Sequence, residues 1–297
     1  MPTAWLTCPA YPPRDTALAN LAVRRAQDLC AALDLDLRCS PLLSLGSGLR
    51  AHPLELRRQD LATWPQHDLI IALRGGYGCI HLAEELTAVA ASLPPLVGFS
   101  DLTVVHAARL RAGRSDGVHG AMPGVDHGAQ AATTLLALLR GQHLVYGPAQ
   151  APQAQVLIPG RASGPLVPAC LRVLTGLVGT PLMPDLRGCI LAVEDIDERG
   201  YELDRDLQQL HLAGCLIGVA GLIFGIFPGP EHAGPTPREV ATTWAARLAV
   251  PALVGLPFGH DPDPLALPVG GHAVLDLRGQ DWSLGFPQRP PLVPGIH

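Results

Sequence analysis

Ser100 closes the run Leu96-Val97-Gly98-Phe99-Ser100-Asp101, where apolar residues stop on a hydroxyl and an Asp-Leu-Thr helix start follows. Strand, tight turn, serine and helix in that order outline a nucleophile elbow. A serine hydroxyl is a useful nucleophile only when the backbone lifts it clear of the sheet and a base takes its proton. The rival reading is an ordinary helix cap, whose hydroxyl serves only the N–H groups of the next turn. Acyl hydrolysis needs three further parts: a base, a group that orients the base, and N–H donors where the oxyanion forms. The N–H of Asp101, in the first turn of the helix, is placed to be one donor. Gly75-Gly76, in Arg74-Gly75-Gly76-Tyr77-Gly78, can bring a second N–H close, with Gly76 the candidate, because glycine allows tight backbone approach. His260 follows Val254-Gly255-Leu256-Pro257-Phe258-Gly259, an apolar strand entering a glycine turn, and is the candidate base. Glu194 ends the strand Ile190-Leu191-Ala192-Val193 and is the candidate orienting acid. A carboxylate there is costly without a partner, and an imidazole N–H is such a partner. Arg74 is a candidate clamp for the free carboxylate of a substrate, with a structural ion pair as the equal alternative. Gly75 and Tyr77 stand beside it as candidate substrate contacts.

Other residues admit other chemistries. Gly75-Gly76-Tyr77-Gly78 is similar to the Gly-Gly-Asp-Gly phosphate loops of some nucleotide kinases, with tyrosine in place of the acid. A nucleotide-binding module is therefore the alternative of another class. Glu194-Asp195-Ile196-Asp197-Glu198 reads as a solvated acidic loop or a divalent-metal cluster, but lacks the oxygen-ligand spacing of a calcium loop. His81-Leu82-Ala83-Glu84-Glu85 lacks the second histidine of a zinc motif. Cys79 and His106 read as packing residues. No metal and no organic cofactor is expected.

These residues must be carried by strands that end at one edge of a sheet. A strand is predicted over residues 4–10, then a helix over 16–33 capped by Asp15, a strand over 35–39, a helix near 53–64 and a strand over 67–73. A helix over 79–92, the strand ending at Ser100 and a helix over 102–112 follow. Apolar rather than alternating strands, each followed by a helix, indicate a parallel sheet covered on both faces. Ligands bind at the carboxyl ends of such strands. The segment 149–165, rich in Pro, Gly, Ala and Gln, reads as a linker around a short strand. It separates an N-terminal domain (1–148) from a C-terminal one (166–297). In the latter, helices are expected near 166–178, 204–213 and 236–248, with strands at 189–193, 216–226, 252–256, 273–277 and 282–284. The fold class is α/β: a flavodoxin-like or Rossmann-like parallel-sheet domain, then a smaller α/β domain with short β-rich segments.

Composition narrows the function further. The 297 residues are 48% hydrophobic and 16% charged, with a net charge of -5, so a large core is available and no basic stripe addresses nucleic acid. All 21 basic residues are arginine, which rules out a lysine nucleophile or Schiff base. The N-terminus lacks the basic start and long apolar run of a signal peptide, and no stretch reaches the ~18 apolar residues of a membrane span. Seven scattered cysteines, never spaced as CxxC, suit reduced thiols in a cytoplasmic protein.

Taken together, the motifs resemble the LD-carboxypeptidases, the serine peptidase family that includes muramoyltetrapeptide carboxypeptidase. Four blocks carry the resemblance over roughly residues 45–270: Arg74–Gly78; Gly98–Thr103; Leu191–Asp195 with Tyr201 and Asp204-Arg205 behind it; and Pro257–His260. His119-Gly120-Ala121-Met122 and Gly179-Thr180-Pro181 are weaker fifth and sixth blocks. The resemblance implies Ser100 as nucleophile, Glu194 as orienting acid and His260 as base. It also implies two domains with the triad assembled across their interface, often in a homodimer, and a small peptide or muropeptide as substrate. The expected reaction is removal of a terminal D-amino acid, typically D-Ala, from an L-centre in murein-derived peptides. A branch of the same family, immunity peptidases that cleave peptidyl-nucleotide antibiotics, is the nearer alternative. Two departures stand out. Val167-Pro168-Ala169-Cys170 occupies the place of a usual Gly-Gly-Asn-type stretch, and Ala121 that of a common proline.

Overall fold

The computed structural model describes residues 1–44, 50–229, 233–279 and 281–295. The parts of the motif-bearing span at 45–49 and 230–232 lie outside the described residues. The first half alternates strand and helix: β1 (Thr3–Thr7), α1 (Thr16–Ala31), β2 (Asp36–Cys39), α2 (Leu54–Thr63), β3 (Leu69–Ala72), α3 (Ala83–Val89), β4 (Leu96–Val97), α4 (Thr103–Arg111), β5 (Gly117–His119) and α5 (Ala129–Leu139). The second half comprises β6 (Leu144–Tyr146), β7 (Gln155–Ile158), β8 (Gly160–Cys170), α6 (Leu171–Thr175), β9 (Ile190–Glu194), α7 (Gly200–Leu212), β10 (Gly221–Gly225), α8 (Pro237–Leu248), β11 (Ala252–Leu256), β12 (Leu267–Val269), β13 (His272–Arg278) and β14 (Asp281–Phe286).

Strands β2-β1-β3-β4-β5 run parallel in that order, the flavodoxin-like one of the two parallel-sheet windings, flavodoxin-like or Rossmann-like, expected from the sequence. The strands are apolar because both faces are covered: Ile70 and Ile71 point to opposite sides and are both fully buried. Asp15 caps α1 by accepting from Leu18 N at 2.8 Å. Its buried stripe is Ala22, Ala26 and Cys30; Leu18, at the helix start, stays exposed. The second sheet has order β6-β14-β13-β8-β9-β10-β11-β7, with a parallel centre from β8 to β11 and antiparallel flanks.

Each half lends a strand to the other's sheet. β12, late in the chain, pairs antiparallel with β5 at the edge of the first sheet. β6, before the midpoint, pairs with β14 at the edge of the second.

The expected helix near 166–178 is a correction. Residues 160–170 form β8, and only Leu171–Thr175 are helical. Pro165 precedes the expected helix and Pro168 falls in its first turn, where proline is tolerated, so the prolines do not decide against a helix; strand pairing does. In the strand, Gly160–Pro165 pair with β13 and Leu166–Cys170 with β9, so each proline lies where the register pairs β8 on one side. Residues 149–165, expected as a linker around a short strand, carry β7 and the first half of β8. The expected helix over 79–92 is broken into two 3-10 turns flanking α3.

Candidate active site

Ser100 follows β4 with a φ of 63°, inside the left-handed region that an L-residue rarely adopts. That conformation separates an elbow from an ordinary cap. Among the described residues the Ser100 hydroxyl makes no hydrogen bond, and the turn it opens has no side-chain cap. A residue in this region carries about 1–3 kcal/mol of strain, which surrounding structure must hold. Gly75 is part of that surround. A Cβ placed there would lie 2.7 Å from the Ser100 Cβ and 2.8 Å from its Oγ, so only glycine lets the Arg74–Gly78 turn lie against the serine. Arg57 secures the same turn: its buried guanidinium donates to Gly78 O (2.7 Å) and Pro9 O (3.1 Å). Asp101 turns its carboxylate away to accept from Cys79 N at 2.8 Å.

Glu194, at the end of β9, is fully buried. Its Oε2 lies 2.6 Å from His260 Nδ1 and also accepts from His260 N at 3.2 Å. Gly259 makes this contact possible. It sits at φ 70°, and a Cβ there would fall 2.2 Å from the Glu194 Cδ. Burial alone would push the Glu194 carboxyl up, yet the facing imidazoles of His119 and His260 outweigh it and hold it at about 2. Burial likewise opposes the charged form of His260, but the Glu194 carboxylate prevails and raises it above the ordinary imidazole range. The His260 ring stands edge-on to Phe99, with centroids 5.1 Å apart, so the residue before the serine packs against the candidate base. Sequence reasoning placed these three residues at strand ends; the fold gathers the Glu–His pair and the serine turn around Phe99. None of the hydrogen bonds among the described residues joins Ser100 to His260.

The loop that carries His260 is tied to the first sheet. Asp263 accepts from Ala131 N (2.8 Å) and Gln130 N (3.2 Å), capping α5 from a distant part of the chain. Asp263→Ala is expected to cost about 1 kcal/mol of stability, seen as a lower Tm, and to lower kcat as the loop loosens. An unchanged kcat at the reduced Tm would show that the cap does not position His260.

The acidic loop resolves into separate partners. Glu194 faces histidines, Asp195 accepts from Arg172 N (2.7 Å) and Ile196 N (2.9 Å), and Glu198 lies 3.8 Å from Arg172. Among the described residues no group of three or more His, Cys, Asp or Glu side chains is disposed to hold a metal ion. Cys170 opposes Glu194 in register, and its N–H donates to Thr103 Oγ1 at 3.1 Å, linking the Val167–Cys170 stretch to the helix behind the serine.

Arg74 is half-buried and has no acidic partner among the described residues; its guanidinium lies 5.9 Å from the centre of the Tyr11 ring. Burial, with Arg14 nearby, holds it below the usual arginine range. Tyr77 is exposed and joins Asp101, Val104, Arg172 and Leu177 around a cavity of about 390 Å³ between the halves. In the sequence His119 stands out only as the head of a weaker motif block. In the structure its Nε2 lies 3.5 Å from Glu194 Oε1. Its local sequence, Asp116-Gly117-Val118-His119-Gly120, lacks the apolar run that precedes His260, so the motif block was the only signal.

Comparison with known proteins agrees with this architecture. Residues 6–120 match the LD-carboxypeptidase N-terminal domain and residues 163–275 the LD-carboxypeptidase C-terminal domain. A Synechocystis protein provisionally named a carboxypeptidase is 37% identical over 238 residues, 77% of each chain. The murein tetrapeptide carboxypeptidase of Pseudomonas aeruginosa is 31% identical over 252 residues, 78% of this chain and 81% of that one. The crystal structure of muramoyltetrapeptide carboxypeptidase from Oxalobacter formigenes superposes with a TM-score of 0.83 at 26% identity, covering 97% of this chain and 99% of the other. With both domains matched in order and over most of its length, this chain belongs to the LD-carboxypeptidase family of peptidases.

Proposed function

We propose that the protein is a serine-type LD-carboxypeptidase that releases a terminal D-amino acid, typically D-Ala, from an L-centre in murein-derived peptides. The observation that carries this reading is the buried 2.6 Å contact of Glu194 with His260 Nδ1, set beside a serine at φ 63°. Glu194 accepts from Nδ1–H, which leaves Nε2 of His260 free as the base. Ser100 Oγ attacks the carbonyl of the L-residue as its proton passes to Nε2. The tetrahedral oxyanion is held by the N–H groups of Gly76 and Asp101. The C–N bond then breaks, the amine of the D-residue leaves with the proton from Nε2, and water repeats the sequence on the acyl-enzyme.

An exopeptidase must also recognise a free carboxylate. Arg74 suits that task because it is adjacent to Gly75, lacks an acidic partner among the described residues and offers a planar fork. Gly75 and Tyr77 flank it as substrate contacts. Arg74→Ala is expected to raise KM about tenfold to a hundredfold with a smaller change in kcat; an unchanged KM would assign the clamp elsewhere.

The P. aeruginosa and O. formigenes relatives are named for murein tetrapeptide substrates, which supports the same substrate class here. The test is a side-by-side assay on an L,D-tetrapeptide ending in D-Ala and on an aminoacyl-nucleotide conjugate. Faster release of D-Ala is expected; preference for the conjugate would move the protein to the immunity branch. The seven cysteines, all free, support a reducing, cytoplasmic setting, and the family resemblance supports a homodimer. A monomer mass by light scattering would remove the dimer from this reading.

A further inference from the structure

Glu194 gives one carboxylate oxygen to His260 and turns the other toward a second histidine. Oε2 receives both His260 contacts. Among the described residues Oε1 accepts no hydrogen bond, and His119 Nε2 stands 3.5 Å from it. Both residues are fully buried, and among the described residues neither ring nitrogen of His119 has a hydrogen-bond partner. A buried carboxylate oxygen without a donor is costly, and so is an imidazole N–H without an acceptor. Each is the group the other needs. The ring is walled in by Phe99 and Phe258, whose centroids both lie 5.5 Å from its own. Its backbone is fixed as well, because β5 is paired with β4 on one side and β12 on the other. Only a few tenths of an ångström separate this contact from a formed hydrogen bond, and catalytic contacts commonly tighten when substrate binds.

We propose that His119 is a positioning residue for the hydrolysis, donating Nε2–H to Glu194 Oε1 so that Oε2 stays aimed at His260 Nδ1. The proposal deepens the serine-peptidase reading and rests on it. The terminal torsion of a glutamate is broad, so bonds to Oε2 alone leave the plane of the carboxylate less than fixed. A second donor from the opposite side fixes its plane, and with it the tautomer and direction of His260. His119 therefore acts through Glu194 rather than on the scissile bond.

The experiment measures kcat and KM for the wild type, Ser100→Ala, His119→Gln, His119→Asn and His119→Leu on whichever of the two substrates above is hydrolysed. His119→Leu is expected to lower kcat about tenfold to a hundredfold with KM unchanged. His119→Gln, whose amide nitrogen reaches nearly to the place of Nε2, is expected to restore most of the rate; the shorter His119→Asn is not. In a Glu194→Gln background, His119→Leu should add no further loss. The low-field proton resonance of His260 Nδ1–H should move in the Leu variant and stay in place in the Gln variant. Wild-type kcat in the Leu variant, or equal losses in Leu and Gln, overturns the proposal. If the Leu variant does not fold, equal rates for Gln and Asn overturn it. Turnover by Ser100→Ala is a separate result that removes the underlying reading instead.

Discussion

Ser100→Ala is expected to lower kcat by on the order of a million-fold, the loss seen when a serine peptidase keeps its base but not its nucleophile. The residual rate would come from binding and from N–H groups that still hold the oxyanion. Alanine accepts the same strained φ no better than serine, so the Tm should stay close to that of the wild type. Ser100→Gly makes the complementary case. Glycine adopts a φ of 63° freely, so this variant should be equally inactive but more stable, by about 1 kcal/mol. Inactivity together with raised stability would mark a position where strain is kept for function. D-Ala release measured by amino-acid analysis, with thermal melts alongside, decides it; full turnover in either variant would exclude Ser100 as nucleophile.

Glu194→Gln is expected to cost about 10⁴-fold in kcat. The amide cannot accept from His260 Nδ1–H with the force of a carboxylate, and its NH₂ group favours the wrong imidazole tautomer. The pH profile should change with it. Burial lowers the basicity of His260, but Glu194 outweighs it, with further support from Asp195 and Asp197. The base works only when neutral, so wild-type kcat/KM should fall as pH drops through a value above the ordinary imidazole range. Without the Glu194 charge, burial meets only the more distant Asp195 and Asp197, and the acid limb should move to lower pH. Glu194 itself, held at about 2, stays ionised across this window. An acid limb unmoved in the variant would show that the profile reports some other group.

Much of this was legible in the sequence because single residue types at strand ends carry a physical obligation. A carboxylate at the end of Ile190–Val193 demands a donor, and a serine after Leu96–Phe99 demands a reason to be there. The parallel sheet followed from apolar strands alternating with helices; its order β2-β1-β3-β4-β5 did not. What was not legible depends on distant pairing. The helix expected near 166–178 failed because Leu166, Val167 and Ala169 suit either element, and only the β9 and β13 partners decide for a strand. His119 shares its local pattern with many core histidines; only the approach of the last residue of β5 to the last residue of β9, in another sheet, sets its ring opposite Glu194. Asp263 reads as one acid in a Pro-rich turn until α5 is found beneath it.

The strands that the halves lend each other bear on whether the chain can be divided. β6 lies outside both family domains, and β12 belongs to the second yet completes the first sheet. A gene cut between the halves would leave each product with one sheet missing a border strand and one orphan strand to spare. Such a cut would also part the candidate nucleophile, on the first sheet, from the candidate base after β11, so neither product would hold a whole site.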